Sequence, residues 1–230
     1  MRIPSVVVVG RAEREVVPDR VVVTVLVTTA VLPSAAEALA ACAEARRRLL
    51  DHLAATCAGA RVTDGRVTTQ PERRLVTRNT ATGTEEGWEV HGHTGRCAVD
   101  VEDAAGRAAA IVAQAGAHPD AHSVVPVFVV GAALARSTAI ELEREAVRDA
   151  LERAAGLAEA AGLAPGQVLS IGESRRRSGP TAFADATHRL AAVPPDAAAA
   201  VAEDLGELRP EPERRSESVA VRVALEGPAG

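Results

Sequence analysis

The chain has 230 residues, 47% hydrophobic and 25% charged, which is the usage of an ordinary globular protein, and at this length a packed core needs neither disulfides nor metals. A formal net charge of -5 and only three aromatic residues, Trp88, Phe128 and Phe183, argue against nucleic acid as a partner, because both long-range attraction to phosphates and stacking platforms are lacking. No lysine is present, so P-loop, Schiff-base and Ser-x-x-Lys chemistries are excluded outright.

Residues 3–9 and 12–17 are β-branched runs separated by Gly10, and Pro18-Asp19 supplies turn chemistry before a third strand over 20–31, where valine alternates with threonine. Ser34, with Glu37 three residues later, forms a capping box that opens a helix over 34–58. Its apolar face carries Leu39, Cys42, Leu49, Leu53 and Cys57, and Gly59 ends it. Strands over 61–78 and 86–101 follow, joined by the hairpin segment NTATGTEEG. Asp103 is placed to cap a short helix that reaches Gln114 and is stopped by Gly116. The strand over 123–130 contains Pro126, which cannot donate to a ladder and so marks an edge or a bulge.

The longest helix is expected over 137–161, with Ile140, Val147, Leu151, Ala154 and Ala158 facing the core and Glu145, Arg148, Asp149 and Arg153 on a solvated side. A strand over 167–174 is followed by a long flexible loop, 175–215, with one short helix near 196–204, and an alternating strand over 218–226 closes the chain. Two β-α-β units in tandem, 20–70 and 86–130, outline a ferredoxin-like split sheet to which the long helix and last two strands are added. The fold class is therefore α+β, with two long helices and one short helix against antiparallel sheet, as a single domain with a core over about 5–226 or as two lobes.

The four valines near the N-terminus are too short a run for a signal peptide, and no stretch reaches the roughly 20 apolar residues of a membrane span. Cys42, Cys57 and Cys97 form no CxxC pair and no even framework, which suits a reducing compartment, so a cytoplasmic location is expected. On a helix Cys42 and Cys57 lie about 22 Å apart, too far for a disulfide. A redox role for Cys57 or Cys97 would need an exposed thiol of lowered pKa; otherwise the cysteines are small buried hydrophobes.

His91, His93 and Cys97 share parity on a strand and could present imidazole and thiolate to zinc or copper, although Gly92 and Gly95 invite a bulge that would break the parity. His118, His122, Asp120 and Ser123 combine histidine, carboxylate and hydroxyl around a turn, which is either an acid-base group or simply a polar turn. Arg175, Arg176 and Arg177 could meet an acidic partner or an anion, or be a solvated run.

The order of motifs resembles one family. VVVVGRAEREVVPD near the start, GWEV before a long strand, AGAHPDAHSVVPVFVV, the block EAVRDALERAAGLAEAAGLAPGQVLSIGES and a final SVAVRVAL together resemble the SIMPL-domain family, over residues 5–226. The resemblance implies no established enzymatic activity and no catalytic residues to carry over. It implies a loose link to oxidative-stress tolerance and to bacterial cell-envelope antigens, and assembly of some members into rings. Many bacterial relatives are exported, whereas this chain begins on its first strand, and its 175–215 segment is richer in arginine than the family's usual final loop.

The expectation is a non-enzymatic interaction or assembly protein, without a cofactor, that forms homo-oligomers and meets a protein partner. The alternative is a small-molecule or metal-binding protein, or an enzyme, using a cleft between the sheet and the long helix near Trp88, His91 or His118.

Overall fold

The computed structural model describes residues 4–80, 83–173 and 209–227. Its elements are β1 (Ser5–Val16), β2 (Arg20–Thr28), α1 (Ala35–Thr56), β3 (Arg61–Asp64), β4 (Thr68–Thr80), β5 (Gly83–Ala104), α2 (Ala108–Gly116), β6 (Ser123–Val129), α3 (Ala132–Ala160), β7 (Ala164–Glu173) and β8 (Glu213–Glu226). The described residues fall into two compact units, one built from β1, α3, β7 and β8, the other from the elements between Asp19 and Val129. The architecture is mixed α+β, with antiparallel sheets throughout.

In the second unit, valine at every second position of β2 makes one wholly apolar face, because successive side chains of a strand point to opposite sides. Val21, Val23, Val25 and Val27 are buried there, and the register sets Val101, Val99 and Cys97 opposite the last three. Both helices of the unit cover that face, α1 with Cys42, Leu49 and Leu53 and α2 with Ile111 and Val112. The strand order β3-β5-β2-β6, with β4 also on β5, is that of a split β-α-β-β-α-β sheet. Ser34 caps α1 by accepting from the Glu37 amide at 3.2 Å. Pro126 lies in β6, the edge strand its ring requires.

Several boundaries differ from the sequence reading. The expected strand over 61–78 is broken into β3 and β4 by Gly65, whose amide donates to Ala98 at 2.8 Å. The hairpin is tighter than expected, with ladder pairs continuing to Thr80 and Gly83, so Gly87 is a strand residue opposite Val76. Asp103 caps no helix. β5 runs on to Ala104 and a 3-10 turn over Ala105–Arg107 precedes α2, while the Asp103 carboxylate accepts from the Ala104 amide and pairs with Arg107 at 2.8 Å. β8 begins at Glu213, inside the expected loop, and the helix expected near 196–204 lies outside the described residues.

The first unit is a three-stranded sheet, β1-β8-β7, under α3. The long helix thus packs on a sheet of its own strands, over a core of Leu142, Ala146, Ala150 and Ala154 against Val8, Val221 and Val223. β1 does not break at Gly10. It continues through a Gly10 to Val219 pair, and the glycine instead admits the helix: a Cβ there would lie 1.9 Å from the Ala146 carbonyl oxygen and 2.5 Å from the Ala150 nitrogen.

That close approach explains which face of α3 is buried. The face is Thr138, Leu142, Ala146, Ala150, Ala154 and Ala158, at every fourth position and small apart from Leu142; of the expected set Ala154 and Ala158 are buried and Val147 is partly buried against the same core, whereas Ile140 and Leu151 are exposed. Glu145, Asp149 and Arg153, expected on a solvated side, fasten the helix to β1, while Arg148 is exposed. Arg14 pairs with Glu141 and, at 2.6 Å, with Glu145; the Arg11 amide donates to Asp149 at 2.9 Å; Arg153 donates to the Val9 carbonyl at 2.9 Å. Gly162, at φ +70°, ends the element in the left-handed region.

Overpacking a helix–strand contact of this kind costs about 1–3 kcal/mol. Gly10→Ala should therefore lower stability by at least that much in urea unfolding, while Gly106→Ala, whose new Cβ meets nothing within 4 Å, should change it little. Equal effects of the two would contradict the close-contact account.

Candidate functional site

The strand residues singled out for metal do not converge. Arg73 pairs with Val90 and Glu72 with Gly92, so His91 is the extra residue of a bulge, exposed, with its Nδ1 3.1 Å from the Glu72 carbonyl oxygen. His93 is half-buried beside Leu32, with which it exchanges backbone hydrogen bonds at 2.8 Å. Cys97 is four residues further on, about 13 Å at 3.3 Å per residue, far beyond what one ion with bonds near 2.3 Å could bridge. Among the described residues no group of three or more His, Cys, Asp or Glu has metal-holding geometry.

Cys97 faces Cys42 of α1 in the core instead. Burial, with the neighbouring Cys42 adding to it, pushes the Cys97 thiol up to about 12, and burial also raises Cys42. All three cysteines are buried and free, and Cys57 donates to the Gln114 side chain at 3.2 Å. The environment is therefore the reverse of the one that makes a thiolate reactive. Arg175, Arg176 and Arg177 lie outside the described residues.

The turn histidines fare differently. The structure brings His118 and Asp120 together with two α1 residues that the sequence reading did not select, Arg48 and His52. Arg48 holds Asp120 through a fork at 2.9 and 3.0 Å, and its other neighbour is Glu44 at 3.2 Å. The His52 ring lies 5.0 Å from that of His118 and its Nε2 donates to the Gln114 carbonyl at 3.0 Å. Arg48 and His52 are one helical turn apart on α1, the spacing that could have marked them as a pair once Asp120 was suspected.

Protonation follows from these contacts. The Arg48 guanidinium holds Asp120 below the usual carboxylate range. Burial lowers His118, outweighing the opposing pull of Asp120, and His118 Nδ1 accepts the Asp120 amide at 3.2 Å, which places the neutral ring's proton on Nε2. The carboxylate of Asp120 is engaged by Arg48 and stands 3.9 Å from His118 Nδ1, so it does not orient the imidazole as a catalytic carboxylate would. His122 is exposed and Ser123 is buried at the start of β6. The cluster borders a cavity of about 440 Å³ whose walls include Thr28, Thr29, Arg48 and His118. Its evident work is to brace α1 against the α2–β6 turn.

The remaining exposed feature of this unit is the β4–β5 hairpin. Leu75 is directly opposite Trp88, and Val90 follows two residues along the same face, with 51%, 68% and 51% of their surfaces exposed. β2 pairs with β5 only over 96–104, so beyond the Leu32–His93 bridge the hairpin is a two-stranded ribbon, with no other strand on either edge among the described residues.

The largely buried side chain of His118 gives a testable pH dependence. Its folded pKa lies below the unfolded 6.5, so the unfolded chain takes up the proton first, and stability present above pH 6.5 is lost as pH falls through and below it. Asparagine keeps an acceptor for the Asp120 amide without titrating. Denaturation midpoints of His118→Asn should therefore fall less than wild type between pH 7 and 5, and parallel profiles would refute the assignment.

No helix among the described residues is long and apolar enough to cross a membrane. A search of curated proteins finds no match. The SIMPL family model, described as a protein of unknown function (DUF541), matches residues 6–225 and so takes in both units. The chain belongs to the SIMPL family.

Proposed function

We propose that the chain is a non-catalytic assembly module whose copies join to one another through the β4–β5 ribbon. The observation that carries this reading is the exposed apolar cluster of Leu75, Trp88 and Val90 on a hairpin open along both edges. A two-stranded ribbon is marginal alone in water and gains both hydrogen bonds and burial from a third strand.

Charge favours a second copy of this chain as the added strand. β4 presents Arg73, Arg74 and Arg78 and β5 presents Glu86 and Glu89, all on the open part of the ribbon. Within one copy Arg78 already pairs with Glu89 across the hairpin. Between copies, the arginine strand of one matches the glutamate strand of the next, whereas arginine strand against arginine strand is repelled. Such head-to-tail contact is heterologous, which closes into a ring or continues as a filament according to the rotation at each joint. Pro71 interrupts the β4 edge near its base and leaves 72–80 for pairing.

Light scattering after size exclusion at micromolar concentration should give a mass above the 23.7 kDa of one chain. Replacing Leu75, Trp88 and Val90 together by serine should return the monomer while leaving far-ultraviolet circular dichroism unchanged. A wild type that remains strictly monomeric, or a triple variant that assembles as before, would overturn the proposal.

A further inference from the structure

The face of the split sheet opposite its helices carries a second cavity, of about 470 Å³, at the end where β2 finishes and β6 begins. Register builds it as two rows. Thr68, Arg96 and Thr28 stand side by side on β4, β5 and β2, and Ala98, Leu26 and Ser123 form the next row on β5, β2 and β6. Neighbouring strands are about 4.8 Å apart, so the side chains of a row are in reach of one another. Arg66, from the β3–β4 connection, and His122, whose amide donates to the Leu26 carbonyl at 2.7 Å, complete the rim.

The site is defined by donors that the protein itself leaves unused. Ser123 is 94% buried, yet its hydroxyl bonds to nothing among the described residues, and the same holds for the Thr28 hydroxyl and the Arg66 guanidinium. Arg96 has only a long contact with Glu72, at 4.0 Å, and Thr68 spends its hydrogen on the Arg96 carbonyl at 3.3 Å. Asp100, the next carboxylate along β5 on this face, is tied to Thr24 at 2.7 Å. No carboxylate lines the cavity. In a chain of net charge -5, two guanidiniums, an imidazole and two free hydroxyls line a cavity with no carboxylate in its walls, Glu72 being held off at 4.0 Å from Arg96, and form a local reversal of sign.

We infer that this cavity binds a small molecule through a phosphate group. Guanidinium forks suit oxyanions, and the donors from Arg66, Arg96, Thr28 and Ser123 exceed what a two-oxygen carboxylate takes but fit the terminal oxygens of a phosphate. Leu26 and Ala98 supply an apolar floor for the part of the ligand that carries it. The inference is independent of assembly, because the donors lie at the sheet end and not on the Leu75–Trp88–Val90 face.

Nuclear magnetic resonance titration of the full chain with inorganic phosphate, at constant ionic strength maintained with chloride, tests it. Saturable shifts are expected at residues 26–28, 66–68, 96–98 and 122–123. Arg66→Gln and Arg96→Gln should each weaken binding about tenfold or more, the size of a lost charged hydrogen bond, while Arg47→Gln on α1 should not. Arg66→Gln serves as the variant that threatens the fold least, since Arg66 is exposed and makes no ion pair among the described residues. Absence of saturable shifts in the wild type at millimolar phosphate, or affinity unchanged in Arg66→Gln, would overturn the inference.

Discussion

The second unit depends on the ladder of β5. Three strands, β2, β3 and β4, pair with this one 22-residue strand, and their pairings divide it in two. From Arg96 onward it pairs with β2 on one side and, at Arg96 and over 99–102, with β4 or β3 on the other, and with one face under α1 its Cys97, Val99 and Val101 are dry. Before His93 it has only β4. Backbone polar groups on the free edges must then be met by water or by another chain, and apolar side chains there gain nothing from the core. The division is made by small residues: a Cβ on Gly95 would fall 2.3 Å from the Ala38 carbonyl oxygen, so α1 settles at that point, and the bulge at His91 follows four residues earlier.

The same device recurs in the first unit with different parts. Gly10 lets α3 settle on β1, the alanine ladder of α3 keeps the two backbones close, and Arg14, Arg11 and Arg153 fasten the flanks. These ion pairs are half exposed, so their role is to set the helix's rotation and depth more than to add stability. Close packing of small residues gains dispersion contacts where large side chains would hold the backbones apart. The scarcity of aromatic residues, three in the chain, is compatible with stability for this reason.

Local chemistry was legible in the sequence wherever one residue type has one structural use. Ser34 caps α1, Gly59 and Gly162 end helices with positive φ, Pro126 lies on an edge strand, and the order of the motifs gave the family. What depended on the distance between two elements was not legible. Gly10 reads as a break until the helix that covers it is known, and Ala146 and Ala150 of α3 are passed over for Ile140 and Leu151 until that closeness makes them the core. His91, His93 and Cys97 share parity on paper, but strand rise and the bulge separate them, while Arg48 and Asp120 are 72 residues apart and meet through a fork. The row of Thr68, Arg96 and Thr28 exists only because β4 and β2 both take their register from β5.

The central claim is that the open half of β5, with β4, is an unsatisfied ribbon completed by another copy of the chain. Amide hydrogen exchange followed while the protein is concentrated through its association range tests this at the backbone itself. The account predicts that protection rises with concentration over 72–80 and 83–91 and stays constant over 99–102, where both neighbours are already present. Exchange in the ribbon that stays independent of concentration while the mass increases, or protection that appears elsewhere instead, would contradict it.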